Sequence, residues 1–204
     1  MTVGRFDRDT LPVTPWKNGG GTTREIASWP PGAGLDAFDW RVSIATIAAS
    51  GPFSVFGGVD RTIMLLDGEG VRLHAADGSI AHRLDRPHQP FAFRGDVPID
   101  CTVLGGASSD FNVMSRRAKG IADVRVLTLA QTLDAAPAGL LMALHGRWRV
   151  DDRSLAAGEG LWWADTPTAW ALAPRDDAAE LVAVRWTPRH RPNEHGTDVP
   201  QPAG

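Results

Sequence analysis

The sequence predicts an all-β protein made of two small antiparallel barrels in tandem. Three observations lead to this fold class. Short apolar runs recur along the chain between glycine and proline turns, a pattern typical of barrels and sandwiches. Segments with helical periodicity are few and short. The second half of the chain also repeats the order of strands and turns of the first half.

The first half contains the clearest strands. Residues 38–47 alternate between apolar side chains on one face and small or polar side chains on the other, as a half-buried strand does. The runs 62–66 and 71–74 flank a glycine turn at 67–70, which predicts two strands joined as a hairpin. Further short strands are expected at 80–84, 91–93 and 99–104.

The second half repeats this arrangement. Residues 140–150 again read as an apolar strand, a glycine turn and a strand. Residues 154–163 correspond to the earlier run into Phe91 and Phe93, and more strands are expected at 169–172 and 181–186. Only two segments favour a helix: 129–135, and the stretch after Asp110, for which Asp110 would be the N-cap.

The doubling predicts two domains and a tail. Residues 1–118 are assigned to the first barrel and residues 119–188 to the second. Residues 189–204 are rich in proline without an apolar pattern, so we expect a disordered tail. The sequence leaves open whether the N-terminal segment is exchanged between the barrels.

Composition limits the kinds of function. The 204 residues carry a formal net charge of −3, which gives no electrostatic footprint for nucleic acid. The charged N-terminus lacks the apolar run of a signal peptide, and no later run is long enough to cross a membrane. The single cysteine, Cys101, fits a reducing compartment, so we expect a cytoplasmic protein with Cys101 buried as a small hydrophobe.

The stretch 16–26, Trp-Lys-Asn-Gly-Gly-Gly-Thr-Thr-Arg-Glu-Ile, is the most unusual in the chain. Three consecutive glycines suit a bulge or a close approach to the backbone, and polar groups surround them. Lys17 is one of two lysines in a chain with 19 arginines, and an ammonium differs physically from a guanidinium fork. The stretch therefore predicts a ligand site; the alternative is a glycine bulge with a solvated charged rim.

The strand–turn–strand segments, 66–70 above all, resemble cupins, which are small double-stranded β-helix barrels; two in tandem make a bicupin. A metal-binding cupin carries a His-x-His pair and then a glutamate ahead of such a glycine turn. Arg61 stands at the glutamate position, Val55 and Gly57 stand near the histidine positions, and residues 93–104 contain no histidine. Because a guanidinium does not ligate a divalent cation, we expect no metal and no cofactor.

A more specific resemblance is to the HutD/Ves family. The motifs that carry it are 16–26, 40–45, 51–54, 60–61, 91–96 and 110–117. They cover the first half densely, whereas the second half matches by pattern. The resemblance implies a metal-free bicupin of the bacterial cytoplasm. It links the HutD branch to histidine utilisation, through binding of an intermediate such as urocanate or formylglutamate, and the Ves branch to environmental stress. The motifs do not choose between the branches.

A carboxylate ligand needs a cation, directional donors and a wall that excludes water. The candidate cations are Lys17, Arg61 and Arg24. The candidate polar partners are Asn18, Thr22, Thr23, Glu25 and Asn112, and the candidate wall is Trp16, Phe53 and Phe56. The alternative for Arg61 is a structural ion pair with Asp60 or Glu25.

The first hypothesis is therefore a bicupin that binds a small carboxylate metabolite and modulates histidine utilisation or a stress response. The second is a metal-independent isomerase or hydrolase that uses Glu25 or Asp60 as a base. The third is a protein-interaction module. None of them involves nucleic acid or a membrane, and open sheet edges would allow a homodimer.

Overall fold

The computed structural model describes residues 2–189 and is all-β, as predicted. Its strands form four antiparallel sheets, two in each barrel. The first barrel contains β2 (Thr14–Pro15), β3 (Gly21–Trp29), β4 (Trp40–Ile47), β5 (Gly51–Pro52), β6 (Val59–Asp67), β7 (Val71–His74), β8 (Ala81–Leu84), β9 (Phe91–Arg94), β10 (Asp100–Val103) and β11 (Ser108–Arg116). Among the described residues there is no helix that could cross a membrane.

The second barrel is built from the rest of the chain together with its start. Its strands are β1 (Thr2–Asp7), β12 (Gly120–Leu127), β13 (Gln131–Ala136), β14 (Ala138–His145), β15 (Trp148–Val150), β16 (Arg153–Leu155), β17 (Glu159–Ala164), β18 (Thr168–Pro174) and β19 (Glu180–Pro188). The sheet orders are β2-β3-β4-β11-β6-β9 and β5-β10-β7-β8 in the first barrel, and β1-β17-β14-β19-β12 and β13-β18-β15-β16 in the second.

The N-terminal strand crosses to the second barrel. Strand β1 pairs with β17 over its whole length, from Thr2 opposite Ala164 to Asp7 opposite Glu159. Assigning the chain's start to the first barrel was therefore wrong, because the partner of β1 lies more than 150 residues away along the chain. Apart from Arg189, the predicted tail lies outside the described residues.

Both predicted helices are strands. Asp110 and the residues after it lie in β11, and the segment 129–135 leads into and forms most of β13. Strand β11 is buried on both faces from Asp110 to Ser115, so its apolar and polar residues do not alternate in the way that identifies a half-buried strand. Asp110 is therefore not a helix N-cap.

The predicted hairpin at 67–70 instead carries the chain from one sheet to the other. Strand β6 pairs with β11 and β9, whereas β7 pairs with β10 and β8. Gly70 adopts a φ of +88°, and a Cβ there would clash with the carbonyl oxygen of Leu84. Glycine is needed at this crossing because both the left-handed backbone and the close approach exclude a side chain.

The two barrels share an apolar interface but differ inside. Trp40, Phe111 and Val113 of the first barrel belong to one buried cluster with Leu140 and Val184 of the second. The interior of the second barrel is apolar and contains three fully buried tryptophans, Trp148, Trp163 and Trp170. In the first barrel an apolar cluster, which includes Cys101, shares the interior with the buried polar residues Arg61, Asp110 and Asn112. Cys101 is buried, as predicted, and burial raises the pKa of its thiol to about 12.

Strand β1 depends on a small residue in its partner. A Cβ added to Gly160 of β17 would overlap the ring of Phe6 and lie 2.5 Å from the carbonyl oxygen of Leu141. Gly160→Ala is expected to lower the free energy of unfolding by about 2 kcal/mol, because the overlap forces β1 or β14 to shift. Gly34→Ala is the matched control, since a Cβ there meets nothing within 4 Å. Urea denaturation measures both; equal stability of the two variants would contradict this packing.

Candidate functional site

A polar patch lies on the inner face of the first barrel. Residues that face each other across antiparallel strands point to the same side of the sheet. On that basis Ser43 and Asn112 lie together, Asp110 lies opposite Ala45 and Leu65, and Arg61 lies opposite Met114 and Phe93. The inward-facing polar residues of β4, β6 and β11 are Arg41, Ser43, Arg61, Ser108, Asp110 and Asn112; of these, Ser108 accepts from the backbone nitrogen of Gly70.

Arg61 is the buried cation of this patch. The residue is 9% exposed, and its Nη2 donates to Oδ1 of Asn112 at 3.2 Å. Its guanidinium carbon lies 5.1–5.7 Å from the ring centroids of Phe53, Phe56 and Phe93, which is cation–π distance. Burial, reinforced by the nearby charge of Arg41, lowers the pKa of Arg61 to about 10, so the side chain remains cationic at neutral pH.

The predicted ion-pair alternatives for Arg61 are not formed. Within residues 2–189, no carboxylate oxygen lies within 4.0 Å of its guanidinium nitrogens. Glu25 instead accepts from Nε of Arg41 at 2.6 Å, and Asp60 accepts from Arg117. Phe53 and Phe56 therefore lie beside a cation that has no direct ion pair, and their role as the wall of a ligand site stays a prediction.

Asp110 is the residue that sequence reasoning missed. It is 1% exposed, and both its carboxyl oxygens lack a hydrogen-bond partner among the described residues. Burial raises the pKa of Asp110 to about 7, although the charge of Arg61 opposes this shift. The available signal was the spacing of Asp110 and Asn112, since residues two apart in a strand share a face.

Arg41 adds a second inward cation at the side of the patch. Its side chain is 11% exposed, and Nη1 donates to Oγ of Ser43 at 3.3 Å. Glu25, the partner of Arg41, also accepts from the hydroxyl of Ser28. Because Glu25 is exposed and paired with Arg41, it lies at the rim of the patch and forms no ion pair with Arg61.

The glycine stretch is divided between a surface loop and the barrel wall. Oδ1 of Asn18 accepts from the backbone nitrogen of Gly20, which closes a local turn. Nε1 of Trp16 donates to Oγ1 of Thr23 at 2.7 Å, and the Trp16 ring packs against the apolar cluster of the first barrel. Lys17 is exposed and forms no ion pair within residues 2–189, so its role in ligand binding stays a prediction.

Two predicted site residues lie on the opposite face of the sheet. Thr22 pairs with Thr46 and Arg24 with Ile44, whose side chain belongs to the interface between the barrels. Nε of Arg24 is buried there without a partner among the described residues. The structure therefore does not bring Thr22 and Arg24 together with Arg61 and Asn112.

Asp60 also lies away from the inner face. It precedes the inward-facing Arg61 and pairs across the sheet with Ser115 and Arg94. Arg117 bridges Asp60 and Asp96, and the backbone nitrogen of Gly58 donates to Asp96 at 2.7 Å. These bonds lower the pKa of Asp96 to about 2 and hold the segment that carries Phe56. Asp60 therefore acts as part of a surface clamp.

A groove of about 340 Å³ lies elsewhere, on the surface beside β8. Two of its three Arg and Asp residues, Arg83 and Asp85, pair with each other at 2.8 Å near the surface. The groove contains none of the polar residues that β4, β6 and β11 direct inward, so we place the candidate site inside the barrel. Among residues 2–189 there is also no group of three or more His, Cys, Asp and Glu side chains placed to hold a metal ion.

Two antiparallel barrels, one filled by apolar side chains and one with cations on its inner face, define a bicupin with a polar first barrel. The chain belongs to the HutD family, whose model matches residues 8–181. It is 42% identical to a protein Ves from Cronobacter sakazakii over 161 residues, covering 78% of this chain and 86% of the relative.

Two further relatives extend over more of the chain. A protein Ves from Citrobacter koseri is 39% identical over 189 residues, which cover 92% of this chain and 97% of the relative. A solved structure of HutD from Pseudomonas fluorescens SBW25, described as obtained in a formate condition, superposes on this chain with a TM-score of 0.81. The two sequences are 30% identical. That match covers 93% of this chain and all of the relative.

The raised pKa of Asp110 predicts a pH-dependent stability. The fold favours the protonated carboxyl, so the contribution of Asp110 to stability is complete below its unfolded pKa near 4 and declines as the pH rises towards 7. Asp110→Asn keeps the shape but cannot ionise. The unfolding free energy of wild type minus that of Asp110→Asn is expected to fall by roughly 2–3 kcal/mol between pH 5 and 8.

Urea denaturation at pH 5, 6, 7 and 8 measures this difference. The exposed Asp100→Asn is the matched control for the loss of one carboxylate in the same barrel. A difference between wild type and Asp110→Asn that stays constant with pH would contradict the assignment of a raised pKa to Asp110.

Proposed function

We propose that the first barrel binds a small carboxylate metabolite at Arg61. The observation that carries this proposal is a buried guanidinium that has no carboxylate ion pair among the described residues. Removing a cation from water without an opposing charge costs several kcal/mol, and a bound anion would offset this cost. Arg61 donates to Asn112 through Nε and Nη2, which leaves Nη1 to donate to a ligand.

The surroundings of Arg61 favour a small, flat ligand. Phe53, Phe56 and Phe93 provide apolar ring faces within 6 Å of the guanidinium, and the Asn112 amide adds a polar group on the same face. Such a combination of few polar groups and an aromatic wall is typical of small-molecule sites. The second barrel offers no equivalent, because tryptophans occupy its interior.

The relatives suggest the class of ligand and the biological setting. A HutD relative was solved in a condition described by formate, which is the smallest carboxylate. Together with the family resemblance, this supports a ligand like formylglutamate or urocanate. Binding of this ligand would modulate histidine utilisation or, in the Ves branch, a stress response. We place this activity in the cytoplasm. The homodimer and the interaction module stay predictions.

A second candidate function is metal-independent acid–base catalysis. Asp110 is a better candidate for the base than Glu25 or Asp60. Glu25 and Asp60 are held by Arg41 and Arg117. The carboxyl of Asp110, with a pKa raised to about 7 by burial, has the acidity that suits a general base near neutral pH. Turnover of a carboxylate substrate that is lost in Asp110→Asn would support an enzyme.

Ligand binding is tested by thermal shift and isothermal titration with formate, N-formylglutamate, urocanate and histidine at pH 6.5. A ligand at a hundred times its Kd is expected to stabilise the fold by about 2.7 kcal/mol. Arg61→Met is expected to remove the response without unfolding the protein, because an apolar side chain replaces a buried cation at little cost.

Arg72→Gln is the matched control, since Arg72 is an exposed arginine on a strand of the same barrel. We expect it to bind as wild type does. No response to any of the four compounds, or an unchanged response in a folded Arg61→Met, would contradict the proposed function.

A further inference from the structure

The inner face of the first barrel contains a second buried group that carboxylate binding alone does not explain. Asp110 lies on β11 between Ala45 of β4 and Leu65 of β6, neither of which has a polar side chain. Both its carboxyl oxygens are buried without a hydrogen bond from any described residue. Native proteins rarely leave a buried carboxyl unpartnered, so such a group indicates a partner other than the described side chains and backbone.

The charged groups around Asp110 do not supply that partner. From β6, Arg61 is close enough to influence the carboxyl but donates its bonds to Asn112. From β4, Arg41 donates to Ser43 and to Glu25 of β3.

Two other titratable groups face the interior from the opposite sheet. From β10, the thiol of Cys101 is neutral, because burial and the charge of Asp110 raise its pKa to about 12. From β8, His82 lies opposite Leu73 and stacks on Phe91, with 3.8 Å between the ring centroids. Burial lowers the pKa of His82, which disfavours its cationic form.

We propose that Asp110 takes up a proton when the first barrel binds its carboxylate and then donates a hydrogen bond to it. The site would thus bind a carboxylate together with one proton. This inference rests on the proposed function of Arg61. It specifies that the ligand is held between a permanent cation and a neutral carboxylic acid.

Like-charge repulsion gives the physical reason. A carboxylate placed beside Arg61 would share a poorly solvated space with an ionised Asp110, and two close carboxylates cannot both remain charged at low cost. The ligand is the stronger acid of the two, so Asp110 accepts the proton. Protonation converts a side chain that can only accept hydrogen bonds into one with an O–H donor. Because the pKa of Asp110 is about 7 in the free protein, the charge of the bound ligand has to raise it well above 8 for the carboxyl to stay protonated over the pH range tested below.

The proposal sets the direction of the pH dependence. If only the form with protonated Asp110 binds, the apparent Kd rises as that form is depleted above its pKa. With a pKa of about 7, the Kd is expected to rise about tenfold between pH 6 and 8. Proton uptake on binding should approach one per ligand at pH 8 and become small at pH 6.

Isothermal titration with formate and with N-formylglutamate tests this at pH 6, 7 and 8. Each titration is repeated in two buffers of different ionisation enthalpy, so that the difference in heat gives the number of protons taken up. Asp110→Asn, which retains an N–H donor at this position, is expected to bind without proton uptake and with a Kd that changes less than twofold over this range. His82→Gln is the control for the other inward titratable side chain and should take up protons as wild type does.

The outcomes separate the two proposals. Binding by wild type without proton uptake and with a constant Kd would overturn the role of Asp110 while leaving the Arg61 site intact. Proton uptake that persists in Asp110→Asn and disappears in His82→Gln would also overturn it. No binding of either carboxylate at any of the three pH values would overturn the proposed function itself. The wild-type titrations decide the question even if Asp110→Asn does not fold.

Discussion

The burial of Arg61 without a carboxylate ion pair is the constraint on which the first barrel depends. A guanidinium in this position loses much of its hydration, and the fold replaces it with three aromatic rings and one amide oxygen. The clamp formed by Arg117, Asp60 and Asp96 fixes the segment that carries one of these rings. The surface charges thus hold the segment that carries Phe56, and the interior contains a guanidinium that forms no direct ion pair with a described carboxylate.

The two barrels differ in the side chains that occupy their interiors. Trp148, Trp163 and Trp170 make the second barrel a packed apolar body, and strand β1 ties the start of the chain to it. Its sheet covers the outer face of β4 and β11, so Phe111 and its neighbours are buried on that side. The packing of this outer face against the second barrel stabilises β4 and β11, so their inner face can have polar side chains without loss of the strand register.

Much of the architecture follows from local patterns, whereas the site depends on pairing between distant strands. The strands, the doubling and the grouping of Phe53 and Phe56 with Arg61 could be predicted from turns, spacing and resemblance. The spacing of Asp110 and Asn112 puts both on one face of a strand, but β11 is buried on both faces and its sequence does not show which face is the inner one. A bulge between Glu25 and Ala27 shifts the register of β3, so the alternation of side chains is interrupted within this strand. The sequence around the glycines therefore did not show which face of the sheet Arg24 occupies. The partner of β1 is likewise set by long-range contacts that local sequence does not encode.

The most direct test of the central claim is a crystal structure of the chain grown with formate at pH 6. An Arg61 that binds carboxylates predicts one formate inside the first barrel, with an oxygen within hydrogen-bond distance of the Arg61 guanidinium and of the Asp110 carboxyl. Formate found only on the outer surface, for example at Lys17, with the side chain of Arg61 unchanged and the interior closed around it, would contradict the claim. The fold would then remain a bicupin whose first barrel buries an arginine for structural reasons alone.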